Sequence, residues 1–138
     1  MNPDDFKRKT RAFAIRVIRL VQALPKLSVG DVLGKQLLRC GTSVGANYRA
    51  ACRAKSRAAF IAKMKIVEEE CDESLYWMDL LIESEQVKAA LLRDLIKEAE
   101  EILALVVASI KTARSSSQSS IVKRQASSGQ RNSVGYVA

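Results

Sequence analysis

Phe60, Met64, Val67, Cys71, Leu75, Met78 and Ile82 follow one another at steps of three and four residues, and no other feature limits the possible fold so strongly. Side chains at that spacing share one face of an α-helix, whereas in a strand they would scatter over both faces. A helix of that length, about 30 Å or more, cannot leave such a face in water and has to lay it against other helices. Composition points the same way. Aromatics are 5% of the chain, with 2 Pro and 6 Gly, while Ala, Leu, Lys, Arg and Glu are plentiful. That balance favours helices over strands, so the expected class is all-α.

Three further helices can be read around this one. The first follows Asn2-Pro3-Asp4-Asp5, residues suited to a helix start, and carries Phe6, Phe13, Val17, Leu20, Val21 and Leu24 before Pro25 stops it. Its polar side bears Lys7, Arg8, Lys9, Arg11, Arg16 and Arg19. Ser28 is a natural N-cap, with Asp31 three residues on, for a second helix through Leu33, Leu37, Cys40, Val44, Asn47 and Ala51 that should fray near Ala54. Ser56 caps the third. Ser84 is read as the start of a fourth, with Leu91 or Leu92, Leu95, Ala99, Ile102, Val106 and Ile110 facing inward to about Ala113. Short connections make neighbours antiparallel, so residues 1–114 are expected to form an up-down-up-down four-helix bundle. Residues 115–138 hold eight serines, three basic side chains and no acid. They are expected to be a disordered tail, either a solvated extension or a basic arm for nucleic acid.

Charge is segregated along the chain. Residues 1–65 hold 15 Lys and Arg against 3 acids, residues 66–101 hold 3 against 12, and residues 102–138 hold 5 against none. Such a pattern suits a polyanionic partner for the basic part, a ring in which the basic face of one copy meets the acidic face of the next, or simple neutralisation inside one bundle. Catalytic readings fail for want of residues. The chain has no histidine, which excludes Ser-His and Cys-His nucleophiles and the Glu-x-x-His sites of di-iron bundles. Gly30-Asp-Val-Leu-Gly34-Lys35-Gln36 has one residue too few between its glycines for a phosphate loop and lacks the metal-binding Ser or Thr. Glu68, Glu69, Glu70, Asp72 and Glu73 encircle a helix rather than converge on a point. No enzyme, metal or cofactor is expected. Cys40, Cys52 and Cys71 lack CxxC spacing and suit small buried groups in a reducing compartment. The longest apolar run, Ile102 to Ile110 interrupted by Ser109, is far short of the ~20 residues that span a bilayer. A soluble, cytoplasmic protein without membrane contact is the expectation.

The second helix divides into two stripes. Arg39, Ser43 and Asn47 recur every four residues beside the apolar seam, and Gly41, Gly45, Arg49 and Arg53 form another. A hairpin turning near residue 54 puts facing positions at numbers summing to about 109, which sets Arg39 level with Glu69 and Glu70, with Glu73 a turn away. Arg39 is therefore expected either to pair with Glu69 or Glu73 or to snorkel to water. Glycine within a helix costs about 1 kcal/mol relative to alanine, so Gly41 and Gly45 imply a closely approaching backbone from helix 1, helix 4 or another subunit. Around the turn, Arg49, Arg53, Lys55 and Arg57, with Tyr48 as a ring for stacking, make a candidate nucleic-acid surface. Arg8, Arg11 and Arg19 of the first helix extend it.

The pattern Gln36-x-x-Arg39-x3-Ser43-Val-x-Ala-Asn47, then Arg53-x-x-Ser56-x3-Phe60 and the Glu68 to Glu73 region, resembles the four-helix-bundle proteins encoded within intervening sequences of bacterial 23S ribosomal RNA genes. The resemblance spans about residues 6–113. It implies an antiparallel bundle assembled as a ring-shaped homopentamer. The family is in turn similar to the accessory variability protein of diversity-generating retroelements, a basic pentamer that binds nucleic acid and a reverse transcriptase. Arg39, Ser43, Asn47, Ser56, Phe60 and Glu69 or Glu73 match the motif, and are expected to be structural or to line an interface. Tyr48-Arg-Ala-Ala51 departs from the usual Ile-Ala-Glu-Gly and is more basic. The expected function is nonspecific binding of RNA or DNA by a homo-oligomer without catalysis; the alternative is an accessory module for a protein partner such as a reverse transcriptase.

Overall fold

A computed structural model describes residues 1–128, with the surroundings of side chains through Ser116. Among them the chain forms four helices and no strand: α1 (Pro3–Gln22), α2 (Val29–Cys52), α3 (Arg57–Glu83) and α4 (Ala89–Ser128). The first three start where small polar side chains take up otherwise orphaned amides. The Asn2 side chain accepts from the Asp5 amide at 2.9 Å, Ser28 from Asp31 at 3.2 Å and Ser56 from Ala59 at 3.0 Å. Asp31 in turn accepts from the Leu27 amide at 3.3 Å and pairs with Lys35 at 3.3 Å. Burial pushes its carboxyl up, but these hydrogen bonds and the nearby lysines outweigh that and hold it below the ordinary value.

Ser84 does not begin α4. It caps the C-terminus of α3, where the Glu85 amide bonds back to Ile82 O and the Gln86 amide to Leu81 O, both at 2.9 Å, with Glu85 in the left-handed region at φ 63°. These paired bonds form a Schellman ending. The chain then turns through buried Val87, and α4 starts at Ala89. At its other end α4 continues past Ala113 to Ser128. Neither Pro nor Gly interrupts the chain between Gly45 and Gly129, and serine alone does not stop a helix that is already propagating. The remainder of the expected tail, residues 129–138, lies outside the described residues.

Leu92, not Leu91, turns inward, as do Leu95, Ala99, Ile102, Val106 and Ile110, while Leu91 is 70% exposed. On α3 the buried series is Met64, Val67, Cys71, Ser74, Met78 and Leu81, an unbroken alternation of threes and fours. Leu75, Ile82 and Phe60 flank it, half-buried. Ser74 hid this register because a polar residue was not read as core. Its hydroxyl lies 2.9 Å from the Glu70 carbonyl oxygen one turn back and 3.3 Å from Cys40 Sγ, so it enters the core already satisfied. Thr10 does the same on α1, bonding to Phe6 O and Lys7 O. Each fully buried Leu, Ile or Met adds about 1.5–3 kcal/mol relative to exposure.

The helices run antiparallel in sequence order, and their cross-contacts fix the register. A Cβ at Gly34 would meet Leu24, one at Gly41 would meet Val17, and one at Gly45 would meet Thr10, so α1 descends as α2 rises. The backbone that Gly41 and Gly45 admit is thus that of α1. Arg39 of α2 faces Glu70 and Glu73 of α3, and Cys71 Sγ lies 3.2 Å from Ala99 O of α4. Lys9 and Arg16 of α1 pair with Glu101 and Glu98 of α4, closing the bundle.

Candidate nucleic-acid interface

The α2–α3 turn carries Arg49, Arg53, Lys55 and Arg57, all exposed, and none is engaged in an ion pair among the described residues. The start of α1 comes to the same end of the bundle, because Phe6 packs edge-on against Tyr48 with ring centroids 4.4 Å apart. That brings Arg8 and Arg11 near the turn. Arg8 is engaged by Asp5 of its own helix, while Arg11 is exposed and free of ion pairs among the described residues. Arg19 lies in the last turn of α1, at the opposite end, so the fold does not gather it with the others.

Tyr48 is not an open ring. It is 7% exposed, held by Phe6, and burial pushes its phenol upward, followed by the hydrogen bond with Cys52. Its place at the border of the apolar seam, four residues from Val44, explains why: the helical step carries it onto the core face. Phe60 keeps a partly accessible ring beside Lys55 and Arg57. Lys7 also flanks this end. Lys65, Lys111 and Arg114 line a neighbouring depression between α3 and α4, together with Glu68. Lys65, Lys111 and Arg114 were not singled out by the sequence; the signal available was antiparallel pairing, which stacks the start of α3 against the later turns of α4.

The motif residues serve the architecture. Arg39 reaches Glu73 at 3.1 Å and Glu70 at 3.5 Å, so Glu70 replaces Glu69 as the second partner. Residues 70 and 73 share a helical face, and one step of about 100° turns exposed Glu69 away. Burial raises the Glu70 carboxyl; Arg39 opposes this, and Glu73 and Glu69 add to it. Ser43 donates to Arg39 O at 2.7 Å and Asn47 to Ser43 O at 2.9 Å, so this stripe satisfies itself along its own helix. Ser56 is the α3 cap. Cys40 and Cys71 are buried, and burial raises both thiols, that of Cys71 to about 12. Cys52 is exposed, against the expectation for all three. Among the described residues no group of His, Cys, Asp and Glu could hold a metal, and no helix is long and apolar enough to cross a membrane.

The model of the 23S rRNA-intervening sequence protein family matches residues 5–108. The chain belongs to this family. A solved structure of a protein with unknown function from the S23 ribosomal protein family of Bacteroides thetaiotaomicron is 38% identical, with a TM-score of 0.75 over 80% of this chain and 99% of that one. No curated protein matches. The family match covers α1, α2, α3 and α4 to Ala108, so the Arg39 pairing and the basic turn both fall inside the family domain.

Proposed function

We propose that this member of the 23S rRNA-intervening sequence protein family is a non-enzymatic homo-oligomer that binds RNA or DNA nonspecifically through the basic end of its bundle. The supporting observation is the convergence there of exposed cations from separate helices, left without ion-pair partners among the described residues. Three other cations, Lys9, Arg16 and Arg39, each meet a glutamate of another helix. A backbone phosphate would find several donors within one surface, and a chain without histidine lacks the commonest general base. The charge segregation also fits a head-to-tail ring, whose interfaces join unlike faces.

Engaging about four phosphates would make affinity fall about 100-fold between roughly 50 and 200 mM salt. Fluorescence anisotropy with labelled RNA and DNA of several sequences, over that range, tests the reading. Replacing Arg49, Arg53 and Arg57 together by Glu is expected to abolish binding. Binding indifferent to salt, or none at low salt, overturns it. Light scattering that returns a monomer overturns the oligomeric part.

A further inference from the structure

At the basic end the helices do not close on one another. Nearer its start α4 buries Leu92, Leu95 and Ile102, but here it offers Ala108, Ser109 and Thr112, all exposed. The small side chains leave a cleft of about 850 Å³ floored by Phe6, Tyr48, Ala51 and Leu105. Phe60 stands between it and a second depression of about 470 Å³ that carries Lys55 and Arg57. Lys7, on α1, lines the larger cleft and is free of ion pairs among the described residues. No acidic side chain lines either.

We infer that this cleft takes an unpaired nucleobase of a single strand, set against the Phe60 ring, with the neighbouring phosphates on Lys7, Lys55 and Arg57. This rests on the nucleic-acid reading above. The volume falls within the ~300–1,000 Å³ of small-ligand pockets, and an apolar floor with an aromatic edge suits the flat face of a base of any identity. Cations from two helices flank the apolar part, matching a polymer in which charge and planar ring alternate. A neutral apolar ligand would leave those cations unused. A duplex keeps its bases stacked and would have to unstack one to enter, so single strands are preferred.

The test compares a short labelled oligouridine, an abasic strand of the same length and charge, and a duplex of equal phosphate number, at low salt. The proteins are the parent, Phe60→Leu, which keeps apolar volume but removes the ring, and Ala108→Trp, which fills the cleft from an exposed helical position. The oligouridine is expected to bind at least about fivefold more tightly than the abasic strand or the duplex. Each variant should erase that margin while leaving abasic binding unchanged, and circular dichroism should show both folded. If all three nucleic acids bind the parent equally and neither variant matters, the cleft inference falls while the charge reading stands. If none binds, the charge reading falls and the inference with it. Displacement of the oligouridine by an equally charged oligoglutamate as effectively as by unlabelled oligouridine would also overturn it.

Discussion

Adding one methyl group at Gly41 sets two opposed effects against each other. Alanine within a helix is favoured over glycine by about 1 kcal/mol. The new Cβ, however, would stand 3.1 Å from both Cγ1 and Cγ2 of Val17, a fully buried side chain. Valine has one strongly preferred rotamer in a helix, and turning one methyl aside swings the other or the Cα hydrogen into the gap. Overpacking of this kind costs about 1–3 kcal/mol, so Gly41→Ala is expected to lose about 1 kcal/mol net. Val17→Ala alone should lose about 2 kcal/mol to lost burial and a void. In the double variant the methyl introduced by Gly41→Ala has room. The overpacking disappears and the helical gain remains, so the pair should be about 2 kcal/mol more stable than the sum of the singles.

Urea unfolding of the four proteins, followed by far-ultraviolet circular dichroism at one fixed protein concentration, measures this coupling. Fixed concentration matters because self-association would add its own contribution to apparent stability. A coupling below about 0.5 kcal/mol would refute the close α1–α2 approach, since non-contacting sites add within that margin. A Gly41→Ala protein more stable than the parent would show that Val17 has space to yield.

Gly34→Ala should cost less than Gly41→Ala in the same assay, because its Cβ meets only the Leu24 Cδ1 tip at 2.6 Å, with the next atom at 3.5 Å. Glu85→Gly should raise stability by about 0.5–1 kcal/mol, relieving a left-handed residue at the end of α3; an unchanged urea midpoint would contradict the Schellman ending. The Glu101 carboxyl is held below its ordinary 4.5, first by the hydrogen bond from Lys9 and then by its charge. A depressed folded value adds stability above the unfolded value and loses it as pH falls through the folded one. Glu101→Gln should therefore flatten the acid side of the Tm profile below about pH 5, and an unchanged slope would rule this out. A thiol reagent should modify one cysteine per native chain quickly, exposed Cys52, and reach Cys40 and Cys71 only on unfolding; three fast thiols would contradict the packing.

The number of helices, the Ser28 and Ser56 caps and the inward face of α4 were legible because each follows from local rules: spacing, a capping hydroxyl, a proline stop. The Ser84 boundary was not, because serine can cap either end of a helix. The deciding feature was a left-handed glutamate, which sequence gives no reason to expect where glycine is usual. The hairpin register predicted the level of Arg39 and its partner Glu73, but not the second partner, Glu70; a single helical step separates it from Glu69. Tyr48 misled for the opposite reason. Among basic residues it looked like a surface ring, yet its position four residues after Val44 already placed it on the core face.

Neutralisation within one bundle explains some of the charge segregation but not the turn. Lys9, Arg16 and Arg39 do meet glutamates across helices. From Arg57 to Glu70 and Glu73, however, α3 climbs 13 to 16 residues, or about 20–24 Å. The Debye length at physiological salt is about 8 Å, so the acidic stretch scarcely lowers the potential at Arg49, Arg53, Lys55 and Arg57. Antiparallel pairing gathers the basic start of α1, end of α2 and start of α3 at one end, while the acidic run Glu68–Glu73 lies midway along α3. Asp4 and Asp5 at the start of α1 share this end, with Asp5 engaged by Arg8, so the chain's own carboxylates offset the positive surface only in part, as the proposed binding of a polyanion requires. Reversing acids in α3, Glu69→Lys for instance, is expected to leave nucleic-acid affinity within about twofold at physiological salt, whereas Arg57→Glu is not. An equal effect from the two substitutions would mean that the field is shared across the whole bundle and that the turn is not a discrete site.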